Sequence, residues 1–108
     1  MRPTRAKIKK RLRCRLTHAM KQRGLPVPRG LNLDKVVSHL MYNIPRRWQE
    51  YDIDHIVPLR LFDFTDEGQT RAAFSPENHQ WADPSVNRSK QAHVETRAFV
   101  ELLTKYAV

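Results

Sequence analysis

Four polar residues stand at spacings that could do chemistry. Asp54 and His55 are adjacent within Tyr-Asp-Ile-Asp-His-Ile-Val-Pro-Leu (51–59), and Asn78 and Asn87 follow, the second opening Asn-Arg-Ser-Lys (87–90). A neutral imidazole accepts a proton near pH 7 and so can act as a general base. Carboxylate and amide oxygens suit hard divalent cations, which keep coordination positions open for water and an anionic substrate. Each residue also has an ordinary reading. Asp-His can be a surface carboxylate beside a half-buried histidine on an edge strand, and the two asparagines can be a turn residue and a polar first-turn helix residue. Their occurrence together is what favours chemistry.

The elements around these residues can be read from pattern. Ile53, Ile56 and Val57 favour a strand within Tyr51 to Leu61, with Pro58 marking its end or an irregular turn. Phe62 and Phe64 read as anchors in the next loop, and Thr65 to Phe74 as a short helix or irregular segment. Ser75 to Asn78 is a turn, His79 to Ala82 a brief second strand, and Asp83-Pro84 an N-cap with proline at the first helical position. The last helix is expected to reach about Tyr106, burying Val86, Val94, Ala98 and Leu102 with some of Phe99, Leu103 and Tyr106. Upstream, residues 4–23 lack proline and glycine and set Ile8, Leu12, Leu16 and Ala19/Met20 on one helical stripe. Thr4 is the candidate N-cap and Gly24 the stop. Gly24 to Gly30 reads as an extended linker. A second helix begins near Asn32 or Asp34, buries Leu33, Val36, Val37, Leu40 and Met41, and stops at Pro45.

A strand bearing Asp-His, a loop asparagine and an asparagine opening a helix resemble the HNH endonuclease family, phage-type members especially. Residues 51–59 look like the family's first strand, Phe62-Asp63-Phe64-Thr65-Asp66 like a loop common in phage-type members, and Asn78-His79-Gln80 and Asn87-Arg88-Ser89-Lys90 like the later motif positions. The likeness covers 51–91 well and the upstream region loosely. It departs in three places: Gln91 follows Lys90 where many relatives have glycine, Trp81 follows Gln80 directly, and Asn87 stands where several members have histidine.

The resemblance implies an α+β fold with a small ββα-metal (His-Me finger) core over about 48–107, preceded by N-terminal helices. It divides the chain into a basic helix and linker, 1–30, and a nuclease domain, 31–108. It implies phosphodiester hydrolysis in DNA with His55 as general base and one divalent cation on Asp54 and Asn87. Asn78 braces the loop and the His55 strand and is not a ligand. Mg²⁺ is the expected ion, with Mn²⁺ or another transition metal as substitutes and no organic cofactor. Neighbours on a strand point to opposite faces, which the family arrangement permits because ion and water bracket the scissile phosphate. Asp52 shares Asp54's face and is either strand-surface charge or a supplementary ligand.

Charge supplies the partner. Of 20 lysines and arginines eleven precede Asp34, no acid does, and the 108-residue chain carries +9 in all. Phosphate-backbone contact is therefore expected from Lys9, Lys10, Arg11, Arg13 and Arg15, and beside the cut phosphate from Arg88 and Lys90. Deleting residues 1–23 is expected to weaken DNA binding more than it alters metal dependence. One cysteine, Cys14, excludes an internal disulfide and a Cys-rich zinc knuckle. No apolar run approaches a membrane span, and the basic start lacks the apolar stretch of a secretory signal. A soluble cytoplasmic protein, phage-encoded or otherwise, acting as monomer or homodimer, is expected, although the Arg-rich start also fits a mitochondrial presequence. Trp48 and Trp81 read as core or rim residues, and His18, His39, His79 and His93 as packed or surface residues. A non-catalytic nucleic-acid-binding module on the same scaffold is the alternative reading.

Overall fold

The computed structural model describes residues 1–85 and 96–107. The expected site residues Asn87, Arg88 and Lys90, with the expected core residues Val86 and Val94, lie outside the described residues. The architecture is α+β: the described residues form four helices and a two-stranded antiparallel sheet, with short 3₁₀ turns between them.

Helix α1 spans Arg5–Gln22, and its expected stripe of Ile8, Leu12, Leu16, Ala19 and Met20 is buried. Thr4 caps it by accepting from the Lys7 amide at 3.2 Å. At the other end Gly24 takes φ +66°, a conformation that costs glycine little. Its amide donates to Lys21 O and that of Leu25 to Met20 O, closing the helix with two reversed bonds. Helix α2, Leu33–Tyr42, is capped by Asn32 and buries Leu33, Val36, Val37 and Leu40, with Met41 half-buried. It ends before Pro45, since the residues preceding a proline leave the helical region.

Strand β1, Asp52–His55, pairs with β2, His79–Ala82, in the register Asp52 with Ala82, Ile53 with Trp81, Asp54 with Gln80 and His55 with His79. Between them lie a 3₁₀ turn at Leu59–Leu61 and helix α3, Glu67–Ala73, capped by Asp66. Phe62 and Phe64 are buried anchors, Phe62 meeting Phe99 at 5.2 Å and Phe64 meeting Phe74 at 6.1 Å between ring centroids. After β2, Asp83 accepts from the amide and hydroxyl of Ser85 at 2.8 and 2.6 Å, and residues 84–85 are helical. Helix α4, Thr96–Lys105, buries Leu102.

One apolar cluster joins Ile8, Leu12, Leu16 and Met20 of α1 to Val36, Ile53, Val57, Phe74 and Leu102. Burying four such side chains contributes roughly 6–12 kcal/mol before entropy is counted, which rivals the net stability of a whole domain. Helix α1 is thus part of the core. Deleting 1–23 would strip that core, so the deletion cannot separate binding from chemistry; surface charge changes must do so.

Candidate active site on the hairpin

Asn78 sets the frame. Its side chain is fully buried, and its Oδ1 accepts from the Val57 amide at 2.7 Å. Its Nδ2 donates to Val57 O at 3.2 Å and to Ala73 O at 3.0 Å, while its own carbonyl accepts from the Ile56 amide at 3.0 Å. These bonds explain why the strand ends at His55 although Ile56 and Val57 favour β structure. Their backbone groups are taken by one asparagine 21 residues downstream. Buried backbone groups must find partners, and here a side chain supplies them. Next door, Glu77 ties the same turn to the end of α4, binding Lys105 Nζ at 3.0 Å and the Tyr106 hydroxyl at 2.5 Å. Although partial burial raises the Glu77 carboxyl, the bonds from Tyr106 and Lys105 outweigh it and hold the group below its usual range.

The register assigns Asp54 and His55 to opposite faces of the hairpin. On one face Gln80 donates to Asp54 Oδ2 at 3.0 Å, fixing the carboxylate. On the other, the His55 ring meets His79 at 4.6 Å and Phe74 at 5.8 Å between centroids, both edge-on. Asp54 and His55 are each only 7% exposed, a costly placement for two polar side chains on so small a sheet.

His79 lies beneath His55 and is completely buried. Its Nδ1 is 2.7 Å from Ser75 O, and since a carbonyl only accepts, Nδ1 carries the proton. The Nε2 of this ring has no hydrogen-bond partner among the described residues. Burial pushes its pKa down to about 4; the Ser75 bond opposes this, the charges of His39 and Arg15 add to it, and Asp54 opposes it. His79 is therefore neutral at pH 7 and a poor proton acceptor there. His39 also bonds the strand directly, its Nε2 lying 3.0 Å from His79 O, and Trp81 Nε1 donates to Leu40 O at 2.9 Å. Helix α2 thus holds β2 from the back.

The five expected basic residues of α1 separate into two flanks. Lys9 and Arg13 line a hollow with Val27, Pro28 and Asp34, and Lys9 is paired with Asp34 at 3.1 Å. Lys10, Arg11 and Arg15 line another beside Trp48. Arg23 is structural: it donates to Ala19 O and Leu59 O at 2.8 and 3.2 Å and caps the Phe64 ring at 4.5 Å.

The fold therefore brings together Asp54, His55 and Asn78, and adds Gln80 and His79, which the sequence reading did not assign to the site. The signal that could have found them is the hairpin register, which places each directly opposite its partner. Among the described residues no three His, Cys, Asp or Glu side chains gather as a metal-holding group. Asp54, whose Oδ2 accepts from the Gln80 amide, fits as one oxygen ligand of a hard divalent ion. No helix among the described residues is long and apolar enough to cross a membrane. Comparison with family models, curated proteins and solved structures gives no match.

Proposed function

We propose that the protein is a metal-dependent HNH-type endonuclease hydrolysing phosphodiester bonds in DNA, on a ββα-metal core. The observation that carries this reading is the Asp54–His55 pair, withdrawn from water on a strand whose exit Asn78 clamps. His55 acts as general base: it takes a proton from the water whose oxygen bonds to phosphorus. The bond from phosphorus to the 3′ oxygen breaks, and that oxygen takes a proton from solvent water, leaving 5′-phosphate and 3′-hydroxyl ends. A divalent ion on Asp54 and Asn87, Mg²⁺ first, would supply neutralisation of the charge that builds on the phosphate and on the departing oxygen. Gln80 orients the carboxylate, His79 supports the base from below, and Asn78 fixes the chain leaving the strand. Arg88 and Lys90 contribute positive charge near the cut phosphate, a role read from sequence alone. The enzyme acts in the cytoplasm, as monomer or homodimer.

Incubated with supercoiled plasmid and Mg²⁺ or Mn²⁺, the protein should nick or linearise it. His55→Ala should slow cleavage by about a hundredfold or more while leaving DNA affinity within about twofold. Cutting by that variant at the wild-type rate refutes the assignment. The second reading, a non-catalytic nucleic-acid binder, is favoured by the cationic flank of α1, which needs no chemistry to be useful. A wild-type protein that binds plasmid yet leaves it intact with every divalent ion would establish it.

A further inference from the structure

Between α1 and the turn Trp48–Glu50 lies a groove of about 540 Å³. Its polar side is cationic, with Lys7, Lys10, Arg11 and Arg15, and its apolar side carries Trp48 and Pro3. It continues through Arg15 into a second hollow of about 430 Å³ that adds His18 and Arg60. Among the described residues no carboxylate lines either hollow. Lys7, Lys10, Arg11, Arg15 and Arg60 form no ion pair among the described residues, in contrast to Lys9 on the far flank. Lys7, Arg11 and Arg15 recur every fourth residue, so they stand in a row about 6 Å apart along the helix. That repeat is close to the step between phosphates on an extended single strand.

Trp48 makes the groove more than a patch of charge. Its indole N–H is bound to Met1 O at 2.5 Å, which fixes the ring and uses its only donor. The half-buried ring then has its π-face as its means of recognition. Bases stack on such faces, but only when unpaired, since a base inside a duplex has both faces covered. The turn carrying Trp48 runs straight into β1, and the charge of Arg15 is felt at His79 beneath His55. The row of cations therefore leads alongside the hairpin.

We propose that this groove is a binding subsite for single-stranded DNA. One unpaired base stacks on Trp48, and the phosphates that follow lie along Lys7, Arg11, Arg15 and Arg60. The proposal rests on the nuclease reading for its purpose, and it assigns the substrate class: DNA with an unpaired stretch, such as an overhang or a junction, beside the cut.

The test is equilibrium binding of the full chain in EDTA, with a fluorescein-labelled single-stranded oligodeoxynucleotide and a blunt duplex of the same sequence. The wild type should bind the single strand more tightly. Trp48→Leu keeps apolar bulk but has no π-face, and should weaken single-strand binding about tenfold while changing duplex binding less than about twofold. Trp48→Phe should restore most of the loss. Equal losses for both forms of DNA, a Leu variant that binds like the Phe variant, or a wild type preferring blunt duplex would each overturn the subsite. Because EDTA prevents cleavage, the two readings fail separately. Trp48-dependent strand binding by a protein that cuts nothing keeps the subsite and removes the nuclease; cutting with binding indifferent to Trp48 does the reverse.

Discussion

His79 stands edge-on beneath His55, the two rings 4.6 Å apart at 70°, and burial keeps the His79 ring neutral at pH 7. His79 is completely buried, and its Nδ1 proton is committed to the Ser75 carbonyl.

That burial has a consequence for stability. The folded pKa of His79, about 4, lies below the 6.5 of a free histidine, so the unfolded chain takes up a proton that the folded chain refuses. Stability from this residue is complete above pH 6.5 and is lost progressively as pH falls toward 4. The loss should be on the order of 3 kcal/mol. His79→Asn offers an amide N–H near the Nδ1 position but does not titrate, so its urea midpoint should vary less than that of the wild type across this window. Parallel pH profiles for the two proteins would mean that His79 is not the group responsible.

Asn78 should be intolerant in a way its size does not explain. Asn78→Ala strands the Val57 amide and the carbonyls of Val57 and Ala73, each worth about 1–3 kcal/mol when orphaned in the interior. Asn78→Asp is nearly isosteric and keeps an acceptor for the Val57 amide, but it turns a carboxylate oxygen on two carbonyls. Both variants should lose on the order of 3 kcal/mol or more in urea unfolding. An aspartate variant of wild-type stability would show that the amide nitrogen holds nothing.

These relationships mark where the sequence was legible. The stripe on α1, the cap at Thr4 and the stop at Gly24 are local, decided by residues within one turn, and they are where periodicity and capping rules put them; of the two starts open for α2, Asn32 or Asp34, the cap is Asn32. The second strand and the anchors Phe62 and Phe64 were legible for the same reason. The length of β1 was not, because Asn78 captures the groups of Ile56 and Val57 across 21 residues of chain. Nor was the burial of His79, an ordinary polar residue in sequence, whose place follows from the register and from α2 packing behind it. Charge counting likewise marked the N-terminal helix as cationic but could not divide its faces. That division depends on where Asp34 and Trp48 fold.

The two flanks of α1 should separate in DNA binding. Lys9 is already paired with Asp34, and Arg13 shares its hollow, whereas Lys10, Arg11 and Arg15 face the groove beside Trp48, which no acidic side chain lines among the described residues. Changing Lys10, Arg11 and Arg15 together to glutamine removes up to three phosphate contacts. The slope of log affinity against log salt should then become shallower by roughly 2 to 3. Changing Lys9 and Arg13 together should move it by less than about 1, because Lys9 exchanges one carboxylate for water and releases few counterions. All five side chains are exposed or half-buried, so neither set should disturb the core that α1 shares with the hairpin. Fluorescence anisotropy over a potassium chloride series reads both slopes. Should the two sets flatten the slope equally per charge removed, the flanks are equivalent to DNA, and the cations contribute through net charge rather than through their placement on the helix.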